Sequence, residues 1–352
     1  MEFKMDTFEY INDCIMLNKK TAISILDLAI ISKGKSLRQT FDDSLALAQM
    51  ADTEGYTRYW LAEHHNSDAI GSSATSILIG KIAEGTERIR VGSGGIMLPN
   101  HSPLIISEQF GTLGTLYPNR IDLGLGRAPG TDQETAREIR SDFYQAAMSF
   151  PNEVQKIQNY FSIDNASGRV RAFVAEGVPV PLYILGSSTD SAHLAAKKGL
   201  PYAFASHFAS AQLLQALEIY RNEFQPSKAL DKPNTLAGIS VIVADTDKEA
   251  EFISTSYYDR VIGILTGDRG QMDAPFEMSD QFRGVIQQPT VQQMTKYAFI
   301  GSKETVKKGI KDFIETTQID ELIAATHVYS SQDRLKSYKL LAEIMRELNE
   351  EV

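Results

Sequence analysis

Five of the six histidines in this 352-residue chain, His64, His65, His101, His207 and His327, fall at or just after strand-like apolar runs. Imidazole titrates near neutrality, so several gathered at one end of a fold suggest proton transfer or polar substrate binding. Any one alone reads as a satisfied, partly buried residue. The run Glu63-His64-His65 also invites a metal. Side chains alternate along a strand, so His64 cannot share a face with both neighbours, and a metal would need further histidines from loops. Gly92-Ser93-Gly94-Gly95 lies inside another strand-like run, where glycine packs nothing. It marks either a bulge at a barrel bend or a place where the backbone must approach a flat ligand closely. Arg127 follows the next run, and Ser187, Ser188 and Ser191 open a helix after the one beyond. Helix-start amides, hydroxyls and an arginine make a phosphate site. Each alone is an N-cap or a surface cation; their convergence on adjacent strands favours phosphate.

Several familiar motifs fail. Gly34-Lys35-Ser36 imitates the end of a phosphate-binding loop, but Ala29 stands where its first glycine belongs. Gly124-Leu125-Gly126 follows a strand, yet Pro129 replaces the third glycine of a dinucleotide fingerprint. There is no Gly-x-Ser-x-Gly elbow and no His-Glu-x-x-His.

The elements that must position these residues alternate between strand and helix. Strand-length runs fall at 24–31, 58–64, 89–97, 121–127, 182–187, 201–206, 235–244 and 321–327, with helical periods between them. Parallel strands covered by helices follow from that alternation. Eight units predict an α/β fold, a (β/α)₈ TIM barrel whose chemistry lies at the C-terminal ends of its strands. Two connections are long. Residues 130–181 hold two helices and an expected hairpin, VRAFVAEGVPVP. Residues 263–293, rich in Gly, Pro, Met and Gln, are expected to form a lid over the site. The barrel therefore carries insertions after strands four and seven, and residues 1–352 read as one domain with an extension at 1–22.

Composition sets the limits. The formal charge of −10 argues against a general nucleic-acid surface. One cysteine, Cys14, permits no intrachain disulfide and fits a reducing compartment. No apolar stretch reaches membrane-spanning length, and the first twenty residues lack the apolar core of a signal peptide. A cytoplasmic location and a homodimer are expected.

The segments WLAEHHNSDAIGSSATSIL, VGSGGIMLPNHSPLIISEQFGTLGTLYPNRIDLGLGRAPGTD, YILGSSTDSAHLAAKKGLPYAFASHF and FIGSKETVKKGI resemble the bacterial luciferase-like, flavin-dependent oxidoreductases. The resemblance runs from about Ser24 to the last helix. It implies that His64, the first histidine of the Glu-His-His motif begun by Glu63, acts in catalysis near the flavin's reactive edge. It implies that Gly94-Gly95 forms a cis peptide beneath the isoalloxazine ring and that Arg127 grips the FMN phosphate. Ser188 and Ser191 would supply hydroxyls on the phosphate side, and Leu185, Gly186 and Ser187 backbone beside the ring. Gly126 stands where luciferase has a reactive cysteine, which argues against light emission. His101 and His207 match a non-luminous branch and are candidate substrate contacts. The expected activity is a monooxygenase using reduced FMN and O₂, the FMN being reduced by a separate NAD(P)H:flavin reductase. The alternatives are a deazaflavin-dependent hydride-transfer dehydrogenase on the same barrel and a flavin-binding protein without turnover.

Overall fold

The computed structural model describes residues 19–352, so Cys14 and most of the expected extension lie outside the described residues. Nine strands form, all paired in parallel: β1 (Ala22–Asp27), β2 (Arg58–Leu61), β3 (Arg90–Met97), β4 (Ile121–Gly126), β5 (Leu182–Gly186), β6 (Tyr202–Phe204), β7 (Thr235–Val243), β8 (Ala298–Gly301) and β9 (Glu321–Ala325). All except β8 close into an eight-stranded TIM barrel, in which β9 pairs with both β7 and β1. The extra strand exists because β7 is nine residues long and β6 only three. β6 covers Thr235–Ala237 and leaves the same edge open further along, where β8 pairs with Ser240–Val243.

Helices α1 (Leu37–Glu54), α2 (Thr75–Glu84) and α3 (Pro103–Leu116) follow the first three strands. The insertion after β4 holds α4 (Gln133–Ile139), α5 (Phe143–Met148) and α6 (Phe150–Phe161). Helices α7 (Thr189–Lys198) and α8 (Leu213–Glu223) follow β5 and β6. After β7 come α9 (Asp247–Thr266), α10 (Asp280–Ile286) and α11 (Pro289–Met294); α12 (Lys303–Thr317) and α13 (Ser331–Glu350) complete the ring. Alternation along the strands sorts the core. Ile25, Tyr59, Val91, Leu123 and Ile239 face outward onto the helices, while Leu26, Trp60, Leu236 and Ile323 fill the barrel's interior.

Three expectations are corrected. Residues 170–181 form turns, not a hairpin, because Leu123 of β4 pairs directly with Leu182 of β5 and leaves them no strand partner. They pack instead on α3, where Gly111 lies so close to Ala175 that an added Cβ would come within 2.7 Å of it. The first strand ends at Asp27, four residues short of the expected end, because the Asp27 carboxylate accepts from the Ala29 N–H (2.8 Å) and turns the chain. The second strand ends at Leu61, so Glu63 and His64 lie in a loop where strand alternation does not govern them. The 263–293 segment is less irregular than its composition suggests, since α9 runs through Thr266 and α10 and α11 lie within or across its end. Its loop is docked at the mouth: Met272 N–H donates to Ile31 and Lys33 N–H to Met272, both at 2.9 Å.

The N-terminal end of the barrel is closed by a buried ion-pair network. Arg58 donates to Glu321 from Nε (2.7 Å) and to Asp122 and the Tyr183 hydroxyl from a terminal nitrogen (both 2.7 Å). Arg90 also pairs with Asp122 (2.8 Å from Nε), and the Trp60 indole donates to it at 3.1 Å. Arg58→Met would leave Glu321 without its cation and Asp122 with half of its positive surroundings. Removing one partner of a buried pair costs about 3–5 kcal/mol. Urea unfolding of Arg58→Met should show a loss on that scale; a midpoint within error of the wild type would reject this role.

Candidate functional site

The mouth of the barrel is organised around Glu63. Its carboxylate is buried and accepts from His65 Nε2 (2.8 Å), Asn100 Nδ2 (3.0 Å), His101 Nε2 (2.9 Å) and the Met97 N–H (2.9 Å). Burial alone would raise its pKa, but the hydrogen bonds from His101 and His65 hold it at about 2. Of the Glu-His-His run, Glu63 and His65 thus meet each other, and His101 joins them from the loop after β3. The His101 ring is turned to Glu63, because a buried carboxylate needs its lone pairs filled.

His64 is directed elsewhere, toward His207 beyond β6. Both rings have an Nδ1 that is shielded from solvent and has no hydrogen-bond partner among the described residues. His327, beyond β9, has its Nε2 in the same condition. His207 packs over Gly238 of β7, where a Cβ would overlap the imidazole, and edge-on against Phe208 at 4.9 Å. Burial lowers His64 to about 4, helped by the charge of Arg260, and lowers His207 to about 4, helped by His64. His327 is held well below the ordinary histidine value, by burial first and by Arg260 next. At neutral pH all three rings are uncharged. Sequence reasoning missed Arg260 as a site residue. The only signal was its place on α9 between the buried Tyr257 and Val261.

The residues expected on a phosphate side lie near one another. Arg127, just past β4, reaches across to the first turn of α7, where its Nη2 lies 3.2 Å from Asp190. Both side chains are more than half exposed, so the pair is free to part. Ser188 is the N-cap of α7 and makes no side-chain cap bond, leaving the helix start open to an anion. Ser191 is committed locally: its hydroxyl donates to the Ser188 carbonyl (2.6 Å) beside the Tyr202 hydroxyl (3.0 Å). Gly186 closes against Ser191, Ser187 is exposed, and Leu185 packs over Gly95 and Gly124. The Gly94–Gly95 peptide is cis, and the β3–β4 register shifts between Ser93 and Ile96, so a bulge is present. A Cβ on Gly94 would lie 2.8 Å from Leu26, and one on Gly95 2.8 Å from the Gly124 carbonyl. The barrel's own walls therefore require both glycines.

The buried imidazoles give the protein an acid-sensitive window. In the unfolded chain each takes up a proton near 6.5, whereas His64 and His207 in the fold do so only near 4. Between those values the unfolded chain binds more protons, so stability is full above about pH 6.5 and falls as pH drops toward 4. Glu63 acts lower: with 4.5 unfolded and about 2 folded, its contribution is present above pH 4.5 and lost as pH falls through 2. Denaturant unfolding should lose about 1–2 kcal/mol per ring for His64 and His207 between pH 7 and pH 5. His207→Asn should shrink that loss; an unchanged loss in the variant would remove His207 from the account.

The sequence model of the luciferase-like monooxygenase family matches residues 22–321, from the first residue of β1 to the first of β9. A luciferase-like monooxygenase of Escherichia coli (strain K12) is 45% identical over 333 residues, 95% of this chain and 99% of the relative. An N-acetyl-S-alkylcysteine monooxygenase of Bacillus subtilis (strain 168) is 30% identical over 334 residues, 91% of this chain and 97% of the relative. The solved structure of apo-MsnO8 matches with a TM-score of 0.84 at 30% identity, covering 93% of this chain and 98% of that one. More distant barrels, at 18% and 15% identity and TM-scores of 0.70 and 0.69, hold FMN and an F420–acetone adduct. These last two share the fold alone, which does not choose between those cofactors. With a match spanning the barrel and near-full-length relatives, this chain belongs to the luciferase-like monooxygenase family.

Proposed function

We propose that the chain is a monooxygenase that uses reduced FMN and O₂ to oxidise a small organic substrate at the barrel mouth. The observation that carries the cofactor choice is the Arg127 guanidinium brought to the uncapped start of α7. A ten-residue helix with open first-turn amides, an unused Ser188 hydroxyl and a cation that can leave Asp190 fit a phosphate monoester. Bound there, reduced FMN supplies the electrons that activate O₂. The chain's own residues bind, orient and move protons. Arg127 and the α7 amides hold the phosphate. Glu63 locks the loops that flank His64. Burial keeps the His64 ring neutral with Nδ1 unpartnered, so it accepts a proton or, as the other tautomer, donates one at neutral pH. A separate NAD(P)H:flavin reductase supplies the reduced FMN, and the N-acetyl-S-alkylcysteine class named for one relative is the first substrate class to test.

Arg127→Met should weaken FMN ten- to a hundredfold, the scale of a charge-assisted hydrogen bond, with riboflavin affinity barely changed. Equal losses for both ligands in a fluorescence titration would remove Arg127 from the phosphate. Titration with a deazaflavin in parallel tests the rival hydride-transfer dehydrogenase, which requires the deazaflavin to bind in preference to FMN. His64→Ala should keep FMN affinity and lose on the order of 10²–10⁴ in turnover of the first substrate the wild type oxygenates. Turnover equal to the wild type would end the proton-transfer role.

A further inference from the structure

Among the described residues, one half-buried arginine, Arg260, has no ion pair and no hydrogen bond. Arg58 is paired with Glu321 and Asp122, Arg334 with Asp27 (2.7 Å), and Arg90 with Asp122. Arg120 and Arg221 spend their donors on backbone carbonyls. Arg260, on the inner flank of α9, makes no ion pair and no hydrogen bond with the described residues. Burial holds its pKa below the ordinary arginine value. A charge taken from water without a partner is costly, so a fold that keeps one leaves it for a ligand.

What surrounds Arg260 has the same character. Ser256, one turn earlier on the same helix face, has a buried hydroxyl without a partner. His64 and His327 lie within reach of the Arg260 charge, and His207 lies beside them. Each of the three rings has a nitrogen with nothing bound to it. Arg260 and Ser256 line a cavity of about 220 Å³ with Met272 of the docked loop. The same cavity is also lined by Asp259, Asp268 and Asp273, with Lys33 and Arg269. Burial and the charges of Asp273 and Asp268 raise the Asp259 pKa, and Lys33 is paired with Asp273 (2.7 Å). Beside the uncharged imidazoles, Arg260 is a cation without an ion pair among the described residues.

We propose that Arg260 and Ser256, with His64, His207 and His327 around them, form a subsite for the carboxylate of the substrate, so that the enzyme acts on small organic acids. The proposal rests on the reading that the barrel mouth is the substrate site. A guanidinium offers a carboxylate two parallel donors, which fixes orientation as well as affinity. Ser256 adds a third donor, and the neutral rings complete the lining without competing for the anion. The rest of the acid is thereby held at a set distance from His64.

Calorimetric titration of the purified protein with matched pairs of equal shape, hexanoate against hexanamide and phenylacetate against phenylacetamide, tests this directly. The acids should bind on the order of ten- to a hundredfold more tightly than the amides. Arg260→Met should abolish the preference, Arg260→Lys should keep part of it, and Ser256→Ala should reduce it. Circular dichroism melts report whether each variant is folded, and the lysine and alanine variants carry the test if the methionine variant is not. Acids and amides bound equally, neither bound at millimolar concentration, or a preference that survives Arg260→Met would each overturn the subsite. FMN titration of the same samples reads the flavin assignment separately. A protein that prefers acids but does not bind FMN would overturn that assignment and leave the subsite standing.

Discussion

A carboxylate buried among loops is tolerated only if its lone pairs are filled, and Glu63 meets that condition by drawing three strand ends together. It takes His65 from its own loop, and Met97 N–H, Asn100 and His101 from the end of β3 and the turn beyond. Asn100 passes the constraint on to the loop after β4 by donating to the Pro129 carbonyl at 2.9 Å, and His65 N–H does the same at Gly130 (3.1 Å). Remove the charge and those loops lose their common point. His64 sits between the two fixed residues, Glu63 and His65, with its own N–H tied to the Ser72 carbonyl at 3.0 Å.

The two ends of the barrel treat polar groups in opposite ways. At the N-terminal end Arg58, Asp122, Glu321 and Tyr183 satisfy one another completely enough to be buried, and the half-buried Arg90 closes over Asp122. At the C-terminal end three imidazole nitrogens, the Ser256 hydroxyl and the Arg260 guanidinium have no partner among the described residues. Buried polar groups are almost always satisfied, so a cluster of exceptions points to something outside the protein as the missing partner. Stability and recognition are separated along the barrel axis, and the sealed end allows the mouth to carry groups that do nothing for the fold.

The barrel was legible because its signal is repetitive: eight apolar runs spaced by helical periods admit few architectures. β8 escaped notice because AFIG is short and pairs with only half of one neighbour. The missing hairpin has a similar cause, since alternation in VRAFVAEGVPVP records burial of Ala172, Ala175 and Val180 against α3 and not strand pairing. At the mouth, residues fixed by local pattern could be named from the sequence, as with His64 and Arg127. Residues defined by what they fail to contact were not, because a sequence shows side-chain types and not vacancies. Arg260 is such a residue. His101 is the converse: an imidazole at the rim by position, but one claimed by a carboxylate 38 residues away.

Placing Arg260 on α9 has a mechanical consequence. The same helix carries Ser256 one turn before it and ends at Thr266, where Gly267 (φ 93°) starts the loop that docks across the mouth. That loop is fastened by Met272 to Ile31 and Lys33 beyond β1 and by the Phe276 N–H back to Thr255 of α9 itself (3.0 Å). A group that binds Arg260 therefore presses on an element held at one end by the barrel and at the other by its own returning loop. The strand pairings of the closed barrel are shared across the fold. In the proposed reading, choice of substrate falls to α9 and its loop, which can change length and side chains without disturbing those pairings.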